Sequence, residues 1–124
     1  MNDVALIRWA GAMRGRPFAW GETDCASFAC QALGILGHRP IVDDWRDGLE
    51  AWRLARRVDI AAILTAAGLR RVTDTPVAGD ILVVQRAWPC FHVCLGRLAL
   101  SSSANAGVTL HDTAALEGAA VWRA

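Results

Sequence analysis

Four cysteines and three histidines hold most of the chemical potential of this chain: Cys25, Cys30, Cys90, Cys94, His38, His92 and His111. Cys25 stands out by position. It follows Asp24 where an apolar pattern with a 3.6-residue period begins, within the stretch PFAWGETDCASF. The first turn of a helix has unpaired N–H groups and a partial positive charge, and a thiolate there is stabilised. The spacing therefore predicts a Cys25 thiol that ionises below its ordinary value, as a nucleophile requires. Asp24 suits the N-cap, and the glycine at position 21 lets backbone approach a ligand. The same position also suits a small core residue, because cysteine is often buried and Cys25 shares its face with Phe28 and Leu36.

A cysteine nucleophile needs a base, and histidine is the usual one. His38 falls in a polar linker and His111 near a strand end beside Asp112. His92 lies inside the apolar strand pattern FHVCLG, where a polar ring needs a reason. A packed or solvent-facing histidine would be one such reason and a catalytic base another. A zinc site is the other chemistry to weigh. Cys90, His92 and Cys94 alternate, but residues two apart on a strand lie about 6.6 Å from each other. Zinc bonds are only about 2.0–2.3 Å long, so a flat strand presents these three poorly to one ion.

These groups must be positioned by elements that the pattern marks out. A first helix is expected over VALIRWAGAM, with Val4, Ile7, Ala10, Gly11 and Met13 as its apolar stripe. The cysteine helix is expected from about Asp24 to Leu36, and Gly37 stops it. Two more helices are expected, in DWRDGLEAWRLARR and DIAAILTAAG. From Arg70 the period becomes strand-like in ILVVQ, FHVCLG, LALSSS, GVTLHD and AAVWRA. Helices first and strands after predict an α+β fold, a helical layer on a C-terminal antiparallel sheet of about five strands. At 124 residues the expectation is one domain spanning residues 1–124.

Composition narrows the function classes. All 13 basic residues are arginine, and the net charge is only +1. That balance gives no footprint of a nucleic-acid partner. Residues 1–15 lack a basic start followed by a long apolar run, and no stretch of eighteen apolar residues occurs. Synthesis in the cytoplasm without a secretion signal, and no membrane insertion, are the expectations. Arg14, Arg16 and Trp20 lie near the cysteine loop and would suit an anionic peptide as well as a plain surface.

Taken in order, PFAWGETDCASF, AGDILVV and HVCLG resemble the NlpC-type cysteine peptidases, papain-like peptidoglycan hydrolases. The resemblance covers roughly residues 16–110 and is nearest to short versions from phage tail gene clusters. It implies a papain-like NlpC-type fold, Cys25 as nucleophile, and His92 as a base facing it. It implies a third polar residue from the next strand, at or near Ser102, with Asn105 as fallback. Phe18, Trp20, Gly21 and Asp24 would form the substrate-binding loop. Phe18 stands where the family has a tyrosine, and Ala26-Ser27 where it often has Ser-Gly.

The implied reaction cleaves an amide of a peptidoglycan stem peptide and needs no metal or organic cofactor. The implied setting is a virion tail tip, with other tail-tip proteins as partners and action in the periplasm or cell wall. Two other readings fit the same residues. One is a structural tail-tip component that keeps the fold without activity, for which six tryptophans would supply interface area. The other is a Cys-His amidase or acyltransferase on a different substrate.

Overall fold

A computed structural model describes residues 3–37, 59–86, 89–116 and 118–124. The fold is α+β, and the described residues hold three α-helices and one six-stranded antiparallel sheet. Helix α1 is Asp3–Met13, α2 is Cys25–Ile35 and α3 is Ile60–Ala66. The strands are β1 Arg70–Val72, β2 Ile81–Gln85, β3 Pro89–Cys94, β4 Leu98–Ser103, β5 Gly107–Asp112 and β6 Ala120–Arg123. Their order across the sheet is β1-β6-β2-β3-β4-β5. The extra strand relative to the sequence expectation is β1, whose three residues pair with β6. It is too short to show a periodic signal. The expected helix in DWRDGLEAWRLARR and His38 lie outside the described residues.

Alternation along each strand divides the sheet into two faces. Ile81, Val83, Phe91, Val93, Leu100, Val108 and Trp122 pack with Leu6, Phe28, Ala29, Leu33 and Leu64 in the main core. Leu82, Cys94, Ala99 and Val121 form a smaller cluster on the opposite face, with Val72, Leu116 and Ala119 against it. Helix α2 buries Ala26, Phe28, Ala29, Ala32 and Leu33, essentially the face its period predicts. Helix α1 corrects its expected stripe. Leu6, Ala10 and Met13 face inward, while Val4 and Ile7 are 67% and 57% exposed. Apolar residues surround this helix, so two stripes are available from periodicity. Trp9, ring to ring with Phe28 at 6.2 Å, belongs to the one that wins.

The sheet is tied at one end by a buried ion pair. Asp80 is 2% exposed, and Arg123 grips it through Nε to Oδ1 (3.0 Å) and Nη2 to Oδ2 (2.9 Å). Oδ2 also accepts the Val77 N–H at 2.9 Å. A bidentate, further hydrogen-bonded pair is the arrangement that offsets the cost of burying two charges. Among the described residues no helix is long and apolar enough to cross a membrane.

Candidate active site

Residues 17–24 form a closely bonded loop that delivers Cys25. The Ala19 carbonyl accepts N–H groups from Glu22, Thr23 and Asp24. The Thr23 hydroxyl donates to the Pro17 carbonyl and accepts the Ala19 N–H, both at 2.7 Å. Asp24, the N-cap of α2, accepts three hydrogen bonds. Ser27 N–H reaches Oδ1 at 3.0 Å, and Gly21 N–H and Ser27 Oγ reach Oδ2 at 2.7 Å. The glycine at position 21 adopts φ +79°, which side-chain-bearing residues resist. Phe18 and Trp20 sit edge to face in the loop, with centroids 4.8 Å apart, and both are half-buried.

The β4–β5 hairpin anchors this loop. Val108 N–H donates to the Arg16 carbonyl and Gly15 N–H to the Val108 carbonyl, each at 2.9 Å. A β-carbon at Gly107 would run into the Arg16 carbonyl, so only glycine allows that approach. Ser102 Oγ donates to the Thr23 carbonyl.

Strand pairing explains where the helix start can go. Pairing of β4 with β3 covers Val93–Leu100 and Cys94–Ala99, whereas β4 stays with β5 as far as Ser103–Gly107. Beyond Val93 the two strands part, and the α2 N-terminus occupies the notch. Ser102 holds it from β4. From β3, the Phe91 backbone N–H bonds the Cys25 sulfur. Cys25 thus lies against the residue that precedes His92, within electrostatic reach of Cys90.

The electrostatics of this notch overturn one expectation. Burial pushes the Cys25 thiol up to about 12, against the lowering effects of the Phe91 and Ala26 N–H groups. Cys90 and the Asp24 carboxylate add to the rise. Desolvation of the anion exceeds what the helix terminus returns, so the resting group is a thiol. His92 is 5% exposed, and neither ring nitrogen has a hydrogen-bond partner. Burial pushes its pKa down to about 4, and the charges of His111 and then Arg86 push the same way. The imidazole is therefore neutral at pH 7 and, where it sits, a weaker proton acceptor than a free histidine.

Three further expectations are corrected. Ser102 does not orient His92. It lies on the helix-facing side of β4, opposite Val108, and its hydroxyl is used on the Thr23 carbonyl. Ser101, its neighbour on β4, takes the other side of the strand and pairs with Thr109. Asp24 does not meet a ligand, being 2% exposed with both oxygens occupied. His92 does not sit on the helix-facing side with Cys25, because Phe91 and Val93 take that side and strand alternation sends His92 to the other. Asn105 is exposed in the β4–β5 turn.

Sequence reasoning weighed Cys90 only as a zinc ligand and missed Arg86, which no local pattern announces. Cys90 shares the alternation of His92, and that was the available signal. Among the described residues no three His, Cys, Asp or Glu side chains gather as a cation site, and the cysteines form no disulfide. A family model described as a Domain of unknown function (DUF6950) matches residues 2–124, and the chain belongs to that family. No curated protein and no solved structure matches the chain.

Proposed function

We propose that this member of the DUF6950 family is a cysteine-dependent amide hydrolase acting in the β3–β4 notch. The observation that carries the reading is the placement of Cys25 at a helix start against the Phe91 N–H, next in chain to a buried imidazole with no partner. The substrate reading, an amide of a peptidoglycan stem peptide, comes from the resemblance of PFAWGETDCASF, AGDILVV and HVCLG to NlpC-type peptidases. So do the papain-like fold and the setting at a phage tail tip.

The reaction follows from groups that are neutral at rest. As the Cys25 sulfur attacks the amide carbon its proton passes to His92, a step that requires the imidazole and the sulfur to be brought together from opposite faces of the sheet. Charge develops on the carbonyl oxygen. The backbone N–H groups of Cys25 and Ala26, in the first turn of α2, have no carbonyl one turn back to pair with and can hold it. His92 then gives its proton to the leaving amine, which departs and leaves a thioester. Water attacks the thioester, its proton going to His92, and the sulfur leaves with a proton as the acid is released. Phe18, Trp20 and the exposed backbone at Gly21 flank the approach to Cys25.

The test compares the protein with Cys25→Ala and His92→Ala on purified peptidoglycan fragments, reading peptide release. Each substitution should lower turnover by about 10^3-fold or more while leaving the fold intact. Equal release by all three proteins, or no release by any, overturns the reading. A second reading, a structural tail-tip component, is favoured by the same thiol at about 12 and the unpartnered imidazole, since no ion pair is formed at rest. Absence of turnover is its expected result.

A further inference from the structure

We propose that the outer face of the sheet around His92 is a binding track for a carboxylate-bearing ligand, with Arg86 and His111 as the groups that hold it. The register places the residues. Leu82 lies opposite His92 and Val84 opposite Cys90, and Arg86 sits in the bend just past β2. Ser101, two residues from Ala99 on the same side of β4, pairs with Thr109. His111 lies opposite Ala99, a residue of the outer cluster. Alternation therefore sends Cys90, His92, Ser101, Thr109 and His111 to one face, and Arg86, past the end of β2, lies within electrostatic reach of His92.

Three features of that face point to an anion. Arg86, just past β2, and His111, on β5, are exposed, and both act electrostatically on the imidazole. Among the described residues no strand position on this face carries a carboxylate; Asp80, just before β2, is taken up by Arg123. His92 itself is 95% buried with both nitrogens unpartnered, a state native proteins keep for a reason. The His111 ring is held by Thr109 Oγ1 at 2.9 Å, which turns it along β5. The Ser101 and Thr109 hydroxyls supply neutral donors on the same face as the His111 ring.

The electrostatics give such a ligand a consequence. His111 and Arg86 both disfavour a proton on His92. A carboxylate docked on them offsets that effect and makes His92 a better acceptor for the Cys25 proton. An acidic substrate would thus strengthen the base that attacks it. This last step rests on the hydrolase reading; the binding track itself does not.

The experiment titrates glutarate, and separately neutral glutaramide, into the protein with its histidine rings isotopically labelled. Wild type, Arg86→Gln, His111→Gln and the double variant are compared by the NMR signals of the remaining rings. Unchanged indole signals report an intact fold. Glutarate should move the His92 and His111 signals saturably and glutaramide should not. Each single variant should weaken glutarate binding by about tenfold, the loss of one charge-assisted hydrogen bond. Equal responses to both compounds, no response to glutarate, or a response that survives in the double variant overturns the proposal. Failure of the hydrolase reading appears separately, as equal turnover by wild type and Cys25→Ala.

Discussion

Asp80 and His92 are both buried polar side chains on the outer side of the same sheet, and they are treated in opposite ways. Asp80 has every need met: two bonds from Arg123 and one from the Val77 N–H. His92 has none met. Burial of a polar group is tolerated when it is hydrogen-bonded and is costly otherwise. The satisfied group therefore reads as architecture, tying the start of β2 to the end of β6. The unsatisfied one reads as a group kept available for a proton or a ligand, at a cost in stability.

The contrast can be broken first at its stable end. Arg123→Ala leaves a buried carboxylate with only a backbone N–H, and should lower unfolding free energy by about 3–5 kcal/mol. Denaturant midpoints at constant m-value measure this. A loss under about 1 kcal/mol, the range of surface pairs, would show that the pair is not structural.

The pH dependence sharpens the other end. The folded-state pKa of His92, about 4, lies below its ordinary 6.5. Between these values the unfolded chain binds the extra proton, so stability is lost as pH falls from about 6.5 to 4. The loss from this group should reach at most about 3 kcal/mol. His92→Leu should remove that slope, abolish turnover, and raise stability at neutral pH by about 1–2 kcal/mol, since an unpaired polar group is replaced by an apolar one. Thermal or urea unfolding across the pH range reads both effects. A wild-type slope unchanged by the substitution would place the acid sensitivity elsewhere.

The smallest effect is expected at Ser102. Ser102→Ala removes one hydrogen bond to the Thr23 carbonyl and should cost about 1 kcal/mol of stability. Turnover should drop only modestly, through a looser cysteine loop. Ser101→Ala, on the other side of β4, should leave stability nearly unchanged. A far larger loss of turnover from Ser102→Ala would restore it as a direct partner of the dyad.

Much of the fold could be read from local signals. Asp24 as N-cap, the buried face of α2, a helix in DIAAILTAAG and five of the six strands all follow from periodicity and capping chemistry. These signals are local because helix caps and strand alternation depend on neighbours within a few residues. The failures share a cause as well. The α1 stripe was ambiguous because Val4 and Ile7 compete with Leu6 and Ala10. Ser102 was misplaced because facing residues on adjacent strands depend on register, and a one-residue slip exchanges the two faces.

The sequence by itself determined a helix that opens at Cys25 behind an Asp24 cap, a strand bearing His92, and an α+β order of elements. Only the tertiary structure decided what those residues are like chemically. The pKa of a thiol reflects how much water the whole fold removes from it, and here burial outweighed the helix terminus. The parting of β3 from β4 depends on pairings between distant segments. Those pairings and the alternation along each strand set which side of the sheet each group occupies.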